Sequence, residues 1–220
     1  HGLVNCAPLH RLDPGIGCLQ AEREPPLLAQ CLLLGRTEDA ELKGLDIAAR
    51  AIGLMGAGRP RLIVRGAEPG KGDALRKQLL DWATSPGIEI RTREYVAGAK
   101  RLAQDLRTSS LLLMPSRSEG FGLVGAEALA AGTPILITSK SGLAELISEH
   151  CPSEVANRCI VPVIDNREID ANAWERQIAY VMRDRRAAFR NTAEMAALLS
   201  RELTWDRAAG GLLDALNKVR

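Results

Sequence analysis

Apolar residues recur along this chain in short runs, separated by stretches in which they repeat every three or four positions. Runs at Leu27–Leu34, Arg61–Arg65, Ile88–Tyr95, Leu111–Met114, Pro134–Thr138 and Cys159–Val163 predict strands. Helical periodicity fills the gaps, over Leu45–Met55, Asp73–Trp82, Ala99–Arg107, Val124–Ala131 and Leu143–Glu149. Strands that are apolar on both faces and alternate with helices predict a parallel sheet covered on two sides. Past Val163 the pattern changes: Ala171–Arg183, Ala187–Glu202 and Trp205–Val219 are helical with no strand between them. The expected fold is α/β, a Rossmann-like doubly wound parallel sheet of about six strands with a helical C-terminal tail. Pro8, Pro14, Pro25, Pro26, Gly15 and Gly17 interrupt the opening segment, so residues 1–26 are expected to form an irregular connector ahead of one domain over residues 27–220.

Composition narrows the function classes. The 220 residues are 46% hydrophobic and 25% charged with a net charge of +2, which excludes a disordered chain. No apolar run approaches the roughly 20 residues of a membrane span, and no apolar stretch follows a basic start as in a signal peptide. The near-neutral balance and 3% aromatic content argue against nucleic acid or an anionic membrane as partner. Five cysteines (Cys6, Cys18, Cys31, Cys151, Cys159) are odd in number and lack metal-ligand spacing. Reduced core and loop thiols in a cytoplasmic setting are expected, with no metal site. The chain opens on His1 rather than Met, which suggests a fragment of something longer.

In doubly wound folds ligands sit outside the carboxyl ends of the strands. After the first strand come Gly35-Arg36 and then Lys43-Gly44, where a helix opens. Two cations beside a strand-end glycine and a helix N-terminus suit a diphosphate, and a lysine in that position is otherwise mildly unfavourable to the helix dipole. The second loop, Gly66–Gly72, resembles a P-loop but has three residues between its glycines and no hydroxyl after Lys71, so it reads as a strand-to-helix turn. The fourth strand leads into SRSEGFGLVGAEALAAG, residues 116–132. Gly120, Gly122 and Gly125 spell a dinucleotide fingerprint in the wrong βαβ unit, with Glu119 crowding the pyrophosphate and no acid at the end of the next strand. A pair of carboxylates gives a better account. Glu119 falls in the loop and Glu127 in the first turn or so of the following helix, both facing one crevice. Glu127 offers acceptors to a ribose diol, and the backbone at Gly122-Leu123 can approach a phosphate.

Those residues carry a family resemblance. SEGFGLVGAEALAAGTPILITSKSGLAELI resembles the signature of retaining glycosyltransferases of the GT-B fold, the group that includes sucrose synthase and mannosyltransferases. Gly35, Arg36, Lys43 and Gly44 match that group's diphosphate pattern, and Thr204–Leu216 resembles its closing helix. The resemblance implies the C-terminal, donor-binding half of such an enzyme. Arg36 and Lys43 would hold the diphosphate of a nucleotide sugar, and Glu119 would contact the transferred sugar, supported by amides around Gly120, Phe121 and Gly122. Glu127 would bind the ribose hydroxyls. The basic pair would take the part a divalent metal plays elsewhere, so no cofactor is implied and the nucleotide-sugar donor is the substrate. GT-B enzymes add an N-terminal acceptor domain, for which the 26 residues before the first strand are too few, so acceptor recognition is expected from outside these residues.

Two other functions compete: an isolated module that senses a nucleotide or nucleotide sugar, and hydrolysis of a nucleotide with Glu119 as the acid. Further residues read blandly. His150 caps a helix end, His10 lies in the connector, and Trp82, Trp174 and Trp205 are expected to pack. Arg183, Arg185 and Arg186 mark a solvated helix junction. Ser139, Lys140 and Ser141 are second-rank candidates facing the same crevice.

Overall fold

The computed structural model describes residues 13–16, 23–35, 37–95 and 98–218. Its frame is one six-stranded, all-parallel sheet in the order β3-β2-β1-β4-β5-β6. The strands are β1 (Gln30–Leu34), β2 (Arg61–Ala67), β3 (Ile90–Glu94), β4 (Leu111–Met114), β5 (Ile135–Thr138) and β6 (Ile160–Val161). Between and after them run α1 (Leu45–Leu54), α2 (Gly72–Ala83), α3 (Ala99–Thr108), α4 (Leu123–Ala130), α5 (Gly142–His150), α6 (Ser153–Ala156), α7 (Arg167–Arg183), α8 (Arg185–Glu202) and α9 (Trp205–Lys218). The expected fold class is the observed one.

The period of two along each strand divides its side chains between two cores. Cys31, Leu33, Leu62, Val64, Leu111, Leu113 and Leu136 join one core with α1, α2 and α7, where Trp174 is fully buried. Leu32, Ile63, Leu112, Ile135 and Ile137 join the other, covered by Leu106 of α3, Leu129 of α4, Leu146 of α5 and Leu199 of α8. Strands buried on both faces thus come from runs with no polar alternation.

Several boundaries differ from expectation. Leu27 and Leu28 lie outside β1, Leu27 being 98% exposed, because pairing with β2 begins at Gln30 opposite Arg61. The segment is clasped instead from the α7–α8 junction: Arg185 donates to the Pro26 carbonyl at 2.6 Å, and Arg186 pairs with Glu24 at 3.1 Å. That junction holds chain rather than being merely solvated. β6 shrinks to two residues at the sheet edge. α6 and a 3-10 turn at Thr37–Asp39 were not expected, being too short to show a period. The strand-to-helix turn expected over Gly66–Gly72 is narrower, residues 68–71, because β2 runs through Ala67 and α2 opens at Gly72, and Lys71 pairs with Glu68 at 2.5 Å. Trp82 packs partly buried on the first core, whereas Trp205 is 62% exposed at the head of α9. Cys31, Cys151 and Cys159 are free and buried, and burial pushes all three thiols up. Cys6, Cys18 and His10 lie outside the described residues.

Candidate active site

Strand order reverses between β1 and β4, and the loops leaving those two strands diverge from a crevice there. Two short approaches shape it. Gly44 caps α1 in a left-handed conformation (φ 69°), and a Cβ there would overlap the carbonyl oxygen of Pro115. Inside α4, a Cβ on Gly125 would press against Leu143 and lie 3.1 Å from the Met114 sulfur. Glycine at these two points lets α1 and α4 close on the end of β4.

The result is a cleft of about 730 Å³ whose walls include Gly35, Asp39, Lys43, Arg65, Tyr95, Ser116, Glu119, Phe121, Gly122, Leu123 and Glu127. Lys43 Nζ donates to Glu119 Oε2 at 2.9 Å, and Ser116 Oγ donates to the same oxygen at 3.1 Å. The loop Glu119–Gly122 is held from behind: the amides of Gly142 and Leu143 donate to the carbonyls of Gly120 and Phe121, each at 2.8 Å. Gly122 caps α4, and among the described residues nothing accepts from the amides of Gly122, Leu123 and Val124. Glu127 sits in the second turn of α4, slightly deeper than expected. Its carboxylate makes no hydrogen bond or ion pair among the described residues. Although the residue is exposed, crowding by the cleft walls raises its carboxyl above the usual carboxylate value through desolvation.

Sequence reasoning therefore placed Gly35, Lys43, Glu119, Phe121, Gly122, Leu123 and Glu127 on a single cleft. Gly120 stands just behind its wall, bound to Gly142. Arg36 lies outside the described residues. Ser139, Lys140 and Ser141 are not among the residues that line this cleft: Lys140 pairs with Asp165 at 3.0 Å, and Ser141 caps α5 through the Ala144 amide. Capping and pairing account for both.

What sequence reading missed is the support. Arg117, two residues before Glu119, donates from both terminal nitrogens to Asp46 at 2.7 and 2.8 Å. Asp46 is 3% exposed, in the first turn of α1. The Arg117 amide donates to the Leu42 carbonyl at 2.8 Å. This clasp ties the Lys43 loop to the Glu119 loop, and the ion pair raises Arg117 further above its ordinary value. Its only signal in the sequence is a charge at each of two loop ends. Ser116 was equally silent, a hydroxyl like any other in a polar loop.

Against this geometry the comparisons decide the family. Residues 1–212 match the model of "GT4-conflict: Family 4 Glycosyltransferase in conflict systems". The chain belongs to this family. Among curated relatives, this family 4 glycosyltransferase domain is similar to the D-inositol 3-phosphate glycosyltransferase of Streptomyces scabiei (strain 87.22), 41% identical over 120 residues covering 51% of this chain and 26% of that protein. The protein of the same name from Xylanimonas cellulosilytica is 31% identical over 176 residues, covering 79% of this chain and 39% of the relative. The chain thus spans between a quarter and two fifths of the length of these two relatives. Solved glycosyltransferases share the fold. Sucrose-phosphate synthase from Thermosynechococcus elongatus superposes with a TM-score of 0.68 at 20% identity, over 89% of this chain and 46% of that one. The pneumococcal O-GlcNAc transferase GtfA, solved with UDP and GlcNAc, gives 0.66 at 18% identity, over 92% and 38%. The family 4 domain is therefore a Rossmann-like unit of the GT-B kind.

Proposed function

We propose that this domain is the donor-binding half of a retaining glycosyltransferase of the sucrose synthase and mannosyltransferase group, transferring a hexose from a nucleoside-diphosphate sugar in a cytoplasmic setting. One observation carries the reading: Lys43, Glu119, Glu127 and the open amides of α4 share a single cleft at the switch between β1 and β4. A nucleoside diphosphate supplies what each of them lacks. Its phosphates accept from Lys43, from Arg36 and from the α4 amides, whose dipole adds to the attraction. The ribose hydroxyls donate to Glu127. The transferred sugar lies against Glu119, whose carboxylate Ser116 holds in place.

Departure of the nucleoside diphosphate builds charge on its outer phosphate. Cations fixed beforehand stabilise that charge without reorganising, so Lys43 and Arg36 do here the work that a metal does in other sugar transfers. The acceptor domain completes the cleft and excludes water. That UDP occupies the pneumococcal O-GlcNAc transferase supports the choice of ligand class.

The test is calorimetry against UDP-, GDP- and ADP-sugars. Glu127→Ala should weaken the best of them by about 10- to 100-fold, the range expected for charge-assisted hydrogen bonds. The same variant should bind a 2′,3′-dideoxy analogue as the wild type does. Equal affinity of the wild-type domain for the ribo and dideoxy forms would remove Glu127 from the ribose. Donor binding without transfer in the full-length protein would make this a sensing module.

A further inference from the structure

The sheet face beneath α3 departs from the apolar rule that holds along the other strands. On β2, Leu62 and Val64 enter one core and Ile63 the other, so the alternation turns Arg65 toward α3. Its register partner on β3 is Arg93. Two cations thus stand opposite each other on adjacent strands, an arrangement that by itself weakens a sheet.

Asp105 of α3 is inserted between them. It is 3% exposed and accepts from Nε and a terminal nitrogen of Arg65 and from a terminal nitrogen of Arg93. The remaining Arg65 nitrogen donates to the Glu94 carbonyl at 2.8 Å, so all three of its nitrogens are engaged. Among the described residues Arg93 has given up only one. The guanidinium of Arg101, in the first turn of α3, makes no hydrogen bond or ion pair among the described residues. These groups line a pocket of about 430 Å³ with Gln30, Gln104 and Thr108. Every lining side chain is polar, and three arginines face a single carboxylate.

We propose that this pocket is a second anion site, which holds a small phosphate-bearing molecule between Arg93 and Arg101. The planar guanidinium forks match phosphate oxygens, and a pocket walled by protein screens the excess positive charge less than open water does. Arg65 and Asp105 form the floor and keep Arg93 aimed. Arg65 also borders the donor cleft, so the two sites are neighbours. The proposal does not depend on what the cleft transfers.

Inorganic pyrophosphate is the probe, titrated calorimetrically into the whole chain at low salt. Two sites per chain are expected. Arg101→Glu should weaken one of them more than about tenfold, because charge reversal replaces attraction by repulsion. Since Arg101 is exposed and unpaired among the described residues, that variant should melt like the wild type, and Arg93→Met provides an independent check. Lys43→Ala should remove the other site and leave the Arg101-dependent one. One site lost only with Lys43→Ala, two sites surviving Arg101→Glu, or no binding at all would each overturn the proposal. One site lost with Arg101→Glu but not with Lys43→Ala would support it, while counting against the diphosphate role of Lys43.

Discussion

Two regions of this domain each bury an aspartate against arginine, and they differ in their arithmetic. Asp46 meets Arg117 in a bidentate pair that closes the space between α1 and the Glu119 loop, and Arg117 also lies 3.5 Å from Asp165, itself paired with Lys140, so two cations meet two acids. Asp105 meets Arg65 and Arg93, with Arg101 close by, and a pocket stays open beside it. Where charge is matched the pair acts as a strut, and where cations are in excess room remains for a further anion. Burial and chemical type are the same at both places, so stoichiometry separates structure from site.

The largest effect should come from breaking the strut. Asp46→Ala leaves Arg117 partly buried without its bidentate partner and should cost about 3 kcal/mol in urea unfolding, as removing one member of a buried pair does. Added pyrophosphate should stabilise this variant and the wild type alike and leave the gap between them unchanged. Gly44→Ala attacks the same region through the backbone, adding a Cβ against the Pro115 carbonyl at a left-handed residue. A loss of about 2 kcal/mol is expected.

Asp105→Asn should cost less, about 1–2 kcal/mol at low salt, and millimolar pyrophosphate should recover most of it. If the anion narrows the gap to wild type for Asp46→Ala as much as for Asp105→Asn, the distinction between the two regions collapses. The smallest effect is expected at Glu127, a carboxylate with no cation partner among the described residues. Its raised value means that the folded state binds the proton more tightly than the unfolded chain does. Ionised Glu127 therefore costs stability once the pH rises above the ordinary carboxylate range, and the cost fades as acid protonates it. Glu127→Gln should melt at or slightly above the wild type at pH 7, with the gap closing toward pH 4. A gap that widened in acid would reverse the sign and imply a hidden partner for Glu127.

The sheet was legible because its central strands, β1, β4 and β5 among them, are runs of core residues on both faces, and such runs have few alternatives. Their ends were less so. Leu27-Leu28 continues the apolar run of β1, but no neighbouring strand reaches far enough to pair with it, and pairing is a property of the partner. At the site, Lys43, Glu119 and Glu127 could be read because special residues sit at the ends of strands or helices. Ser116, Asp46 and Arg117 could not. Their roles exist only across the gap between two loops distant in sequence, and an arginine that will clasp an aspartate looks in one dimension like any solvated charge. Arg65 and Arg93 were hidden for a similar reason, since only the register of β2 against β3 sets them face to face.

The lysine in the cleft proposed to take the donor is already spoken for by the glutamate across from it. A visitor must dissolve that partnership before making its own, and only something that brings comparable negative charge can do so at little cost. Uncharged nucleosides or sugars meet a self-satisfied wall, so the resting cleft sorts its visitors by electrical character before it judges their shape.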